Sequence, residues 1–107
     1  MEINQYDIIW VNLDPTIGSE IKKTRPCVVI SPDEMNKYLN TVVIAPVTSQ
    51  SKSYPTRVKF KNKKISGWIV LDQVRTIDKR RIIKVIGKLS FQAIESVKKI
   101  IRETYVD

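Results

Sequence analysis

Apolar residues along this chain come in short runs separated by polar, proline- or glycine-containing segments, which is the pattern of β-strands rather than long helices. The first run, Ile8 to Leu13, breaks at Asp14-Pro15. A polar loop follows with Gly18, Ser19, Glu20, Lys22, Lys23 and Thr24, and Arg25-Pro26 opens a second run, Cys27 to Ile30. Within the first run Ile9, Val11 and Leu13 alternate with Ile8, Trp10 and Asn12. The first set is uniformly apolar and is expected to face the core. Ser31-Pro32-Asp33-Glu34 has the form of a helix start, with Ser31 as N-cap, Pro32 as first helical residue and Glu34 completing a capping box. That helix is short, because Asn40-Thr41 leads into Val42 to Pro46, another buried-strand run.

A hydroxyl-rich connection, Val47 to Pro55, precedes strict alternation from Thr56 to Phe60. Arg57, Lys59 and Lys61 fall on one face of this strand and Val58 and Phe60 on the other, a row of cations opposite an apolar row. Asn62-Lys63-Lys64 predicts a turn, and Gly67 to Leu71 returns as strand. Asp72 to Thr76 continues that strand into a turn at Asp78 to Arg81, and Ile82 to Leu89 is the last strand. Ser90 then caps a helix in which Phe91, Ile94, Val97, Ile101 and Tyr105 recur at helical spacing. Most connections are too short for crossover helices, which disfavours a parallel sheet. The expected fold is mainly β with short helices: about seven strands in a small antiparallel barrel, closed off by a C-terminal helix.

Composition narrows this picture. A chain of 107 residues is expected to be a single domain spanning 1–107, burying about two-thirds of its unfolded surface. The apolar runs are far shorter than a membrane span, and Met1 to Asp7 is too polar for a signal peptide, so a cytoplasmic protein is expected. Cys27, the one cysteine, sits in an apolar run with no partner, as a small buried hydrophobe would. With no histidine, zinc chemistry is disfavoured. Nineteen basic against eleven acidic residues give a net charge of +8, which favours a polyanionic partner, nucleic acid first.

Arg25 is the candidate that changes the picture most. It stands where a long loop becomes strand, and the following proline favours an extended backbone there. It reads either as a fixed cation at the floor of a groove or as a solvated arginine at an edge. An RNA groove needs cations, planar groups and hydroxyls. The chain offers Arg57, Lys59, Arg75, Lys79, Arg80 and Arg81, with Trp10, Trp68 and Tyr54 among them. Trp68, beside Gly67 in an apolar strand, reads as core or subunit contact ahead of a stacking platform. Cutting RNA through its own 2′-hydroxyl needs a base, charge stabilisation at phosphorus and a proton for the leaving oxygen. Arg25 can supply the second directly and is a candidate for the third, and Thr48 or Ser49 can position the phosphate. Glu20 is the acidic candidate close to Arg25 in sequence, though a solvated loop carboxylate is the simpler reading of it. Asp72 and Gln73 can serve merely to bond the barrel's backbone.

The string DIIWVNLDPTIGSEIKKTRPCVVIS (Asp7 to Ser31) closely resembles the opening of the MazF/PemK family of toxin endoribonucleases. The resemblance extends to NTVVIAPVTS (Asn40 to Ser49), YPTRV (Tyr54 to Val58) and DQVRTIDKRRI (Asp72 to Ile82), and so covers nearly the whole chain in order. It implies an SH3-like barrel and a homodimer. It further implies metal-independent cleavage of single-stranded mRNA, without a cofactor, leaving a 2′,3′-cyclic phosphate and a 5′-hydroxyl. A cognate acidic antitoxin whose C-terminal segment occupies the RNA groove is implied as well. The family's catalytic arginine falls on Arg25 and its threonine on Thr48, with Glu20 and Ser49 as further catalytic or phosphate-positioning candidates. Ser19, Lys22, Lys23, Arg57, Lys59, Gln73, Arg75, Lys79, Arg80 and Arg81 are the expected RNA contacts. Two departures stand out: Tyr6 replaces the glycine common before the opening Asp, and Cys27 stands where small apolar residues are usual.

Two readings from other classes remain beside the nuclease. The CcdB gyrase poisons share the implied fold but inhibit a protein target without catalysis. A plain nucleic-acid-binding barrel explains the charge, but not the loop and Arg25 together.

Overall fold

The structure, a computed structural model, describes residues 1–13 and 24–106. Its seven strands are β1 (Asp7–Asn12), β2 (Thr24–Val29), β3 (Thr41–Thr48), β4 (Arg57–Lys61), β5 (Ser66–Val70), β6 (Arg75–Asp78) and β7 (Ile82–Lys88). The helices are α1 (Asp33–Tyr38) and α2 (Phe91–Ile101). Strand order is β4-β5-β3-β2-β1-β7, and every ladder is antiparallel. β3 organises the sheet. One side of it meets β2, while its far end pairs with β5 at Val47 and Thr48 and its near end pairs with β6 from Thr41 to Ile44. The architecture is the expected antiparallel one with a C-terminal helix. No ladder joins β4 to β7 among the described residues, so the sheet is open rather than a closed barrel.

The first strand departs from the expectation of one buried face. Ile8 and Val28 enter one core cluster, with Val47, Phe60, Ile69, Leu71 and Val97. Ile9, Val11, Cys27 and Val29 enter a second, with Val42, Ile44, Ile77 and Ile82. Successive residues of β1 and β2 point to opposite faces, and both faces are covered. This is why these strands read as continuous apolar runs instead of clean alternation. Where only one face is covered the alternation survives: in β4, Val58 and Phe60 are buried and Lys59 and Lys61 exposed.

Two helix starts that each carry a serine behave differently. Ser90 caps α2 as expected, its Oγ accepting from the Ala93 amide at 3.2 Å, and Val97 is fully buried beneath the helix. Phe91, however, faces solvent. Ser31 does not cap α1; Pro32 stands at the cap with no side-chain bond. Ser31 is buried, its Oγ donating to Asn36 Oδ1 at 2.5 Å and accepting from the Val43 amide at 3.0 Å. A hydroxyl tied to the neighbouring strand cannot also serve the helix end. The stretch after β5 also differs from expectation. A 3-10 turn at Leu71–Gln73 interrupts it before β6 begins.

Tyr6 has φ of 70°, the left-handed region that a glycine would occupy freely. Its backbone is held there from both sides. The Tyr6 amide donates to the Val29 carbonyl at 2.7 Å, and its own carbonyl accepts from the Leu89 amide at 3.1 Å.

Candidate active site

The sheet register assembles the site. Arg25 is the second residue of β2 and lies opposite Val11 of β1. Thr48, the last residue of β3, lies opposite Trp68 of β5, which in turn lies opposite Lys59 of β4. Continuing the β2–β3 register beyond its Cys27–Pro46 pair brings Arg25 level with Thr48. Residues directly opposed across strands share a face. Arg25, Thr48, Trp68 and Lys59 therefore form a transverse row drawn from four strands.

Arg25, Thr48 and Ser49 line one cavity of about 340 Å3, with Trp10, Pro26 and Ser66 among its walls. Arg25 is exposed and forms no ion pair with any described residue. Thr48 is half-buried, and its hydroxyl donates to the Gln50 carbonyl at 3.1 Å. The described walls of this cavity carry no carboxylate. A second cavity, of about 530 Å3, adjoins it through Ser49 and Ser66 and extends to Lys59, Lys61, Gly67 and Trp68. Gly67 permits this layout. A Cβ there would stand 2.6 Å from the Thr48 carbonyl oxygen and 2.9 Å from Val47 Cγ1, so a side chain would push β5 away from Thr48.

Cys27 lies beneath the row, fully buried. Burial pushes its thiol up to about 12, while Arg25 and Arg75 act in the opposite direction, so both guanidinium groups are near this point of the sheet. Arg75 is exposed, on β6 opposite Ile44.

The other expected cations are placed differently. Arg57 is half-buried and committed: its Nε is 3.3 Å from Asp72 Oδ1, Nη1 donates to Ser51 Oγ at 2.7 Å, and its guanidinium lies 4.8 Å from the Tyr54 ring centroid. Desolvation works to raise the Asp72 pKa, but hydrogen bonds from Arg57 and Thr56 outweigh it, and the carboxyl is held below its ordinary range. Arg80 pairs with Asp78 at 3.0 Å. Arg81 donates to the Asn12 carbonyl at 3.3 Å. Asn12 is opposite Thr24, so this turn flanks the Arg25 cavity without lining it. Lys79 donates to the Asn36 carbonyl and belongs to a separate cavity beside Met1 and Glu2. Gln73 is exposed in the 3-10 turn. Ser19, Glu20, Lys22 and Lys23, with the loop that carries them, lie outside the described residues. Among the described residues no group of three or more carboxylate or thiol side chains is placed to hold a metal ion.

Sequence reasoning missed Ser66 and Lys61 as cavity walls and set Trp68 aside. Their proximity to Thr48 depends on the β3–β5 register, which no local pattern announces.

The family model for PemK-like, MazF-like toxins of type II toxin–antitoxin systems matches residues 4–105. The chain belongs to this family. The endoribonuclease toxin MazF of Escherichia coli K12 is 42% identical over 71 residues, 66% of this chain and 64% of that protein. The aligned stretch thus spans less than two thirds of that relative. A MazE–MazF structure from Deinococcus radiodurans superposes with a TM-score of 0.83 at 25% identity, covering 96% of this chain and 95% of that one. A mycobacterial endoribonuclease solved with its cognate antitoxin shares the fold, with a TM-score of 0.82 at 15% identity over 94% of this chain and 92% of that one. No helix among the described residues is long and apolar enough to cross a membrane.

Proposed function

We propose that this chain is the toxin of a toxin–antitoxin pair, a single-domain cytoplasmic endoribonuclease that acts as a homodimer on single-stranded mRNA without a metal ion. One observation carries the reading most directly. Arg25 and Thr48, contributed by different strands, line the same cavity, and Arg25 has no ion pair among the described residues. An unneutralised guanidinium beside a hydroxyl at the end of a rigid strand suits a phosphodiester. Membership of the family, and the relatives named as endoribonucleases or solved with an antitoxin, support the same reading.

In this mechanism the RNA 2′-hydroxyl attacks the adjacent phosphorus as it gives up its proton, and the bond to the 5′-oxygen of the next nucleotide breaks, that oxygen taking a proton from a water molecule. The products are a 2′,3′-cyclic phosphate and a 5′-hydroxyl. Arg25 holds the phosphate and stabilises the negative charge that grows on its oxygens. The Thr48 hydroxyl exchanges its Gln50 carbonyl for a phosphate oxygen and fixes the phosphate's orientation, with Ser49 beside it. Glu20 is the candidate acceptor for the 2′-hydroxyl proton. Arg75, Lys59 and Lys61 extend the positive field along the strand. The antitoxin is an acidic segment that competes for this groove. A CcdB-like inhibitor of a protein target has no use for a cavity holding two hydroxyls and an arginine with no ion pair among the described residues.

Primer extension on RNA incubated with the purified protein in excess EDTA tests this. Discrete cuts with cyclic-phosphate ends are expected. An absolute requirement for added magnesium, or no cleavage of any RNA, would overturn the reading.

A further inference from the structure

The cavity beside Thr48 has a character of its own. It continues directly from the Arg25 cavity through Ser49 and Ser66, and it offers an indole, Trp68, between two exposed cations, Lys59 and Lys61. Trp68 is only half-buried, although its neighbours Gly67 and Ile69 are buried. It stands opposite Thr48, so the two backbones are one strand spacing apart, about 4.8 Å, and the indole shares a face with the Thr48 hydroxyl. A nucleotide attached to the phosphate proposed to bind there cannot avoid this neighbourhood.

Resting on the endoribonuclease reading, we propose that Trp68 is the stacking platform for a nucleobase adjoining the cleaved linkage, with Lys59 and Lys61 holding the neighbouring phosphate. At rest, Lys59 Nζ lies 5.6 Å from the Trp68 ring centroid, a cation over an aromatic face. Such a contact at an exposed site is worth a factor of about two to five, whereas a base stacked on an aromatic side chain contributes about five- to a hundredfold in affinity. The base therefore displaces the ammonium. The displaced Lys59, on a flexible stem, remains within the cavity and meets the phosphate of the incoming strand. Stacking reads no base edge, so Trp68 sets affinity and register at this position rather than sequence. Gly67 serves the same end, since its missing side chain lets β5 approach Thr48 closely enough to bring the platform beside the reacting phosphate.

The test is a cycle between protein and substrate. RNA with one mapped cut is prepared intact and with an abasic nucleotide at each position flanking the cut. Steady-state cleavage is measured with the wild type, Trp68→Ala and Trp68→Phe. Affinity is measured in parallel with the same RNAs carrying a 2′-deoxy residue at the cut. Trp68→Ala is expected to raise KM by about five- to a hundredfold with kcat changed much less, and Trp68→Phe to recover most of the loss. At one flanking position, removing the base should cost the wild type a similar factor and cost Trp68→Ala almost nothing. Equal losses in wild type and Trp68→Ala at every position, or Trp68→Phe no better than Trp68→Ala, would overturn the platform. The abasic series on the wild type needs no variant to fold: indifference to every flanking base overturns it too. Should the wild type cut no RNA, the nuclease reading falls; affinity is then measured on a single-stranded RNA scanned with one abasic nucleotide at a time, and indifference of the wild type to every base, or equal losses in wild type and Trp68→Ala, overturns the platform.

Discussion

Arg25 and Arg57 are both strand arginines preceded by a threonine, yet they are in opposite chemical situations. Arg25 is exposed in a cavity with no ion pair among the described residues. Arg57, with its side chain 19% exposed, is held by Asp72, Ser51 and the Tyr54 ring. A formal charge in a sequence is thus a poor guide to an available charge. What separates the two is a carboxylate 15 residues from Arg57 in sequence, which the 3-10 turn after β5 brings against β4. Arg57 is spent on tying β4 to that turn; Arg25 has no such carboxylate among the described residues.

The sharpest way to break this contrast is to remove each guanidinium in turn. Arg25→Ala should lower the cleavage rate by ~10²–10³-fold, as expected for losing one preorganised donor to developing charge, with an unchanged melting profile. Arg57→Ala should do the reverse, losing stability while keeping most of the cleavage rate. Near-wild-type cleavage by Arg25→Ala would show that the exposed arginine is idle.

Thr48 sharpens the comparison from the neutral side. Thr48→Ala should slow cleavage by roughly tenfold or more, the usual cost of one hydrogen bond to a charged group, and Thr48→Ser much less. Equal losses in single-turnover assays of both variants would point to packing by the methyl group. Gly67→Ala should cost about 1–3 kcal/mol of stability through overpacking at the β3–β5 contact and slow cleavage with it, read by denaturant unfolding beside the rate assay. A variant as stable and active as the wild type would mean that β5 gives way freely.

The smallest effect is expected from Asp72→Asn, which makes Arg57 resemble Arg25. The pair is partly exposed, so the stability lost should not exceed about 1 kcal/mol, while the salt dependence of RNA binding steepens by up to about one phosphate contact. Because the Asp72 carboxyl is held below its ordinary range, its contribution to stability is complete above the unfolded aspartate pKa of about 3.9. That contribution fades as pH falls through the lower folded value. Acid unfolding of Asp72→Asn should lack this component, and identical acid limbs for the two proteins would show that the carboxylate is not engaged.

The same contrast explains what could be read in advance. Most strand positions, the exposed Lys59 and Lys61 of β4 and the Ser90 cap follow from short-range pattern and appear in the structure, whereas a 3-10 turn breaks the run after β5 and β3 reaches on to Thr48. Ser31 misled because its hydroxyl is taken up by Asn36 and the Val43 amide, the latter a contact across 12 residues. Ile8 and Ile9 could not announce that both faces of β1 are covered, since that depends on which elements pack over each face. The motif around Arg25 and Thr48 was legible through resemblance. The neutralisation of Arg57 by Asp72, the bond from Lys79 to the Asn36 carbonyl and the placement of Trp68 beside Thr48 all arise from contacts between segments distant in sequence.

Cys27 gives the molecule a built-in clock. The thiol is fully buried between β1 and β3, and burial raises it to about 12. Thiolate chemistry is therefore closed to it in the folded chain. A thiol reagent can react only after β2 separates from a neighbour, so the labelling rate counts openings of the centre of the sheet. Arg25 lies two residues away on the same strand. Any molecule that engages Arg25 and prefers the closed sheet will slow that clock by its binding energy, and occupancy of the groove can be followed from the protein's interior with no label on the ligand.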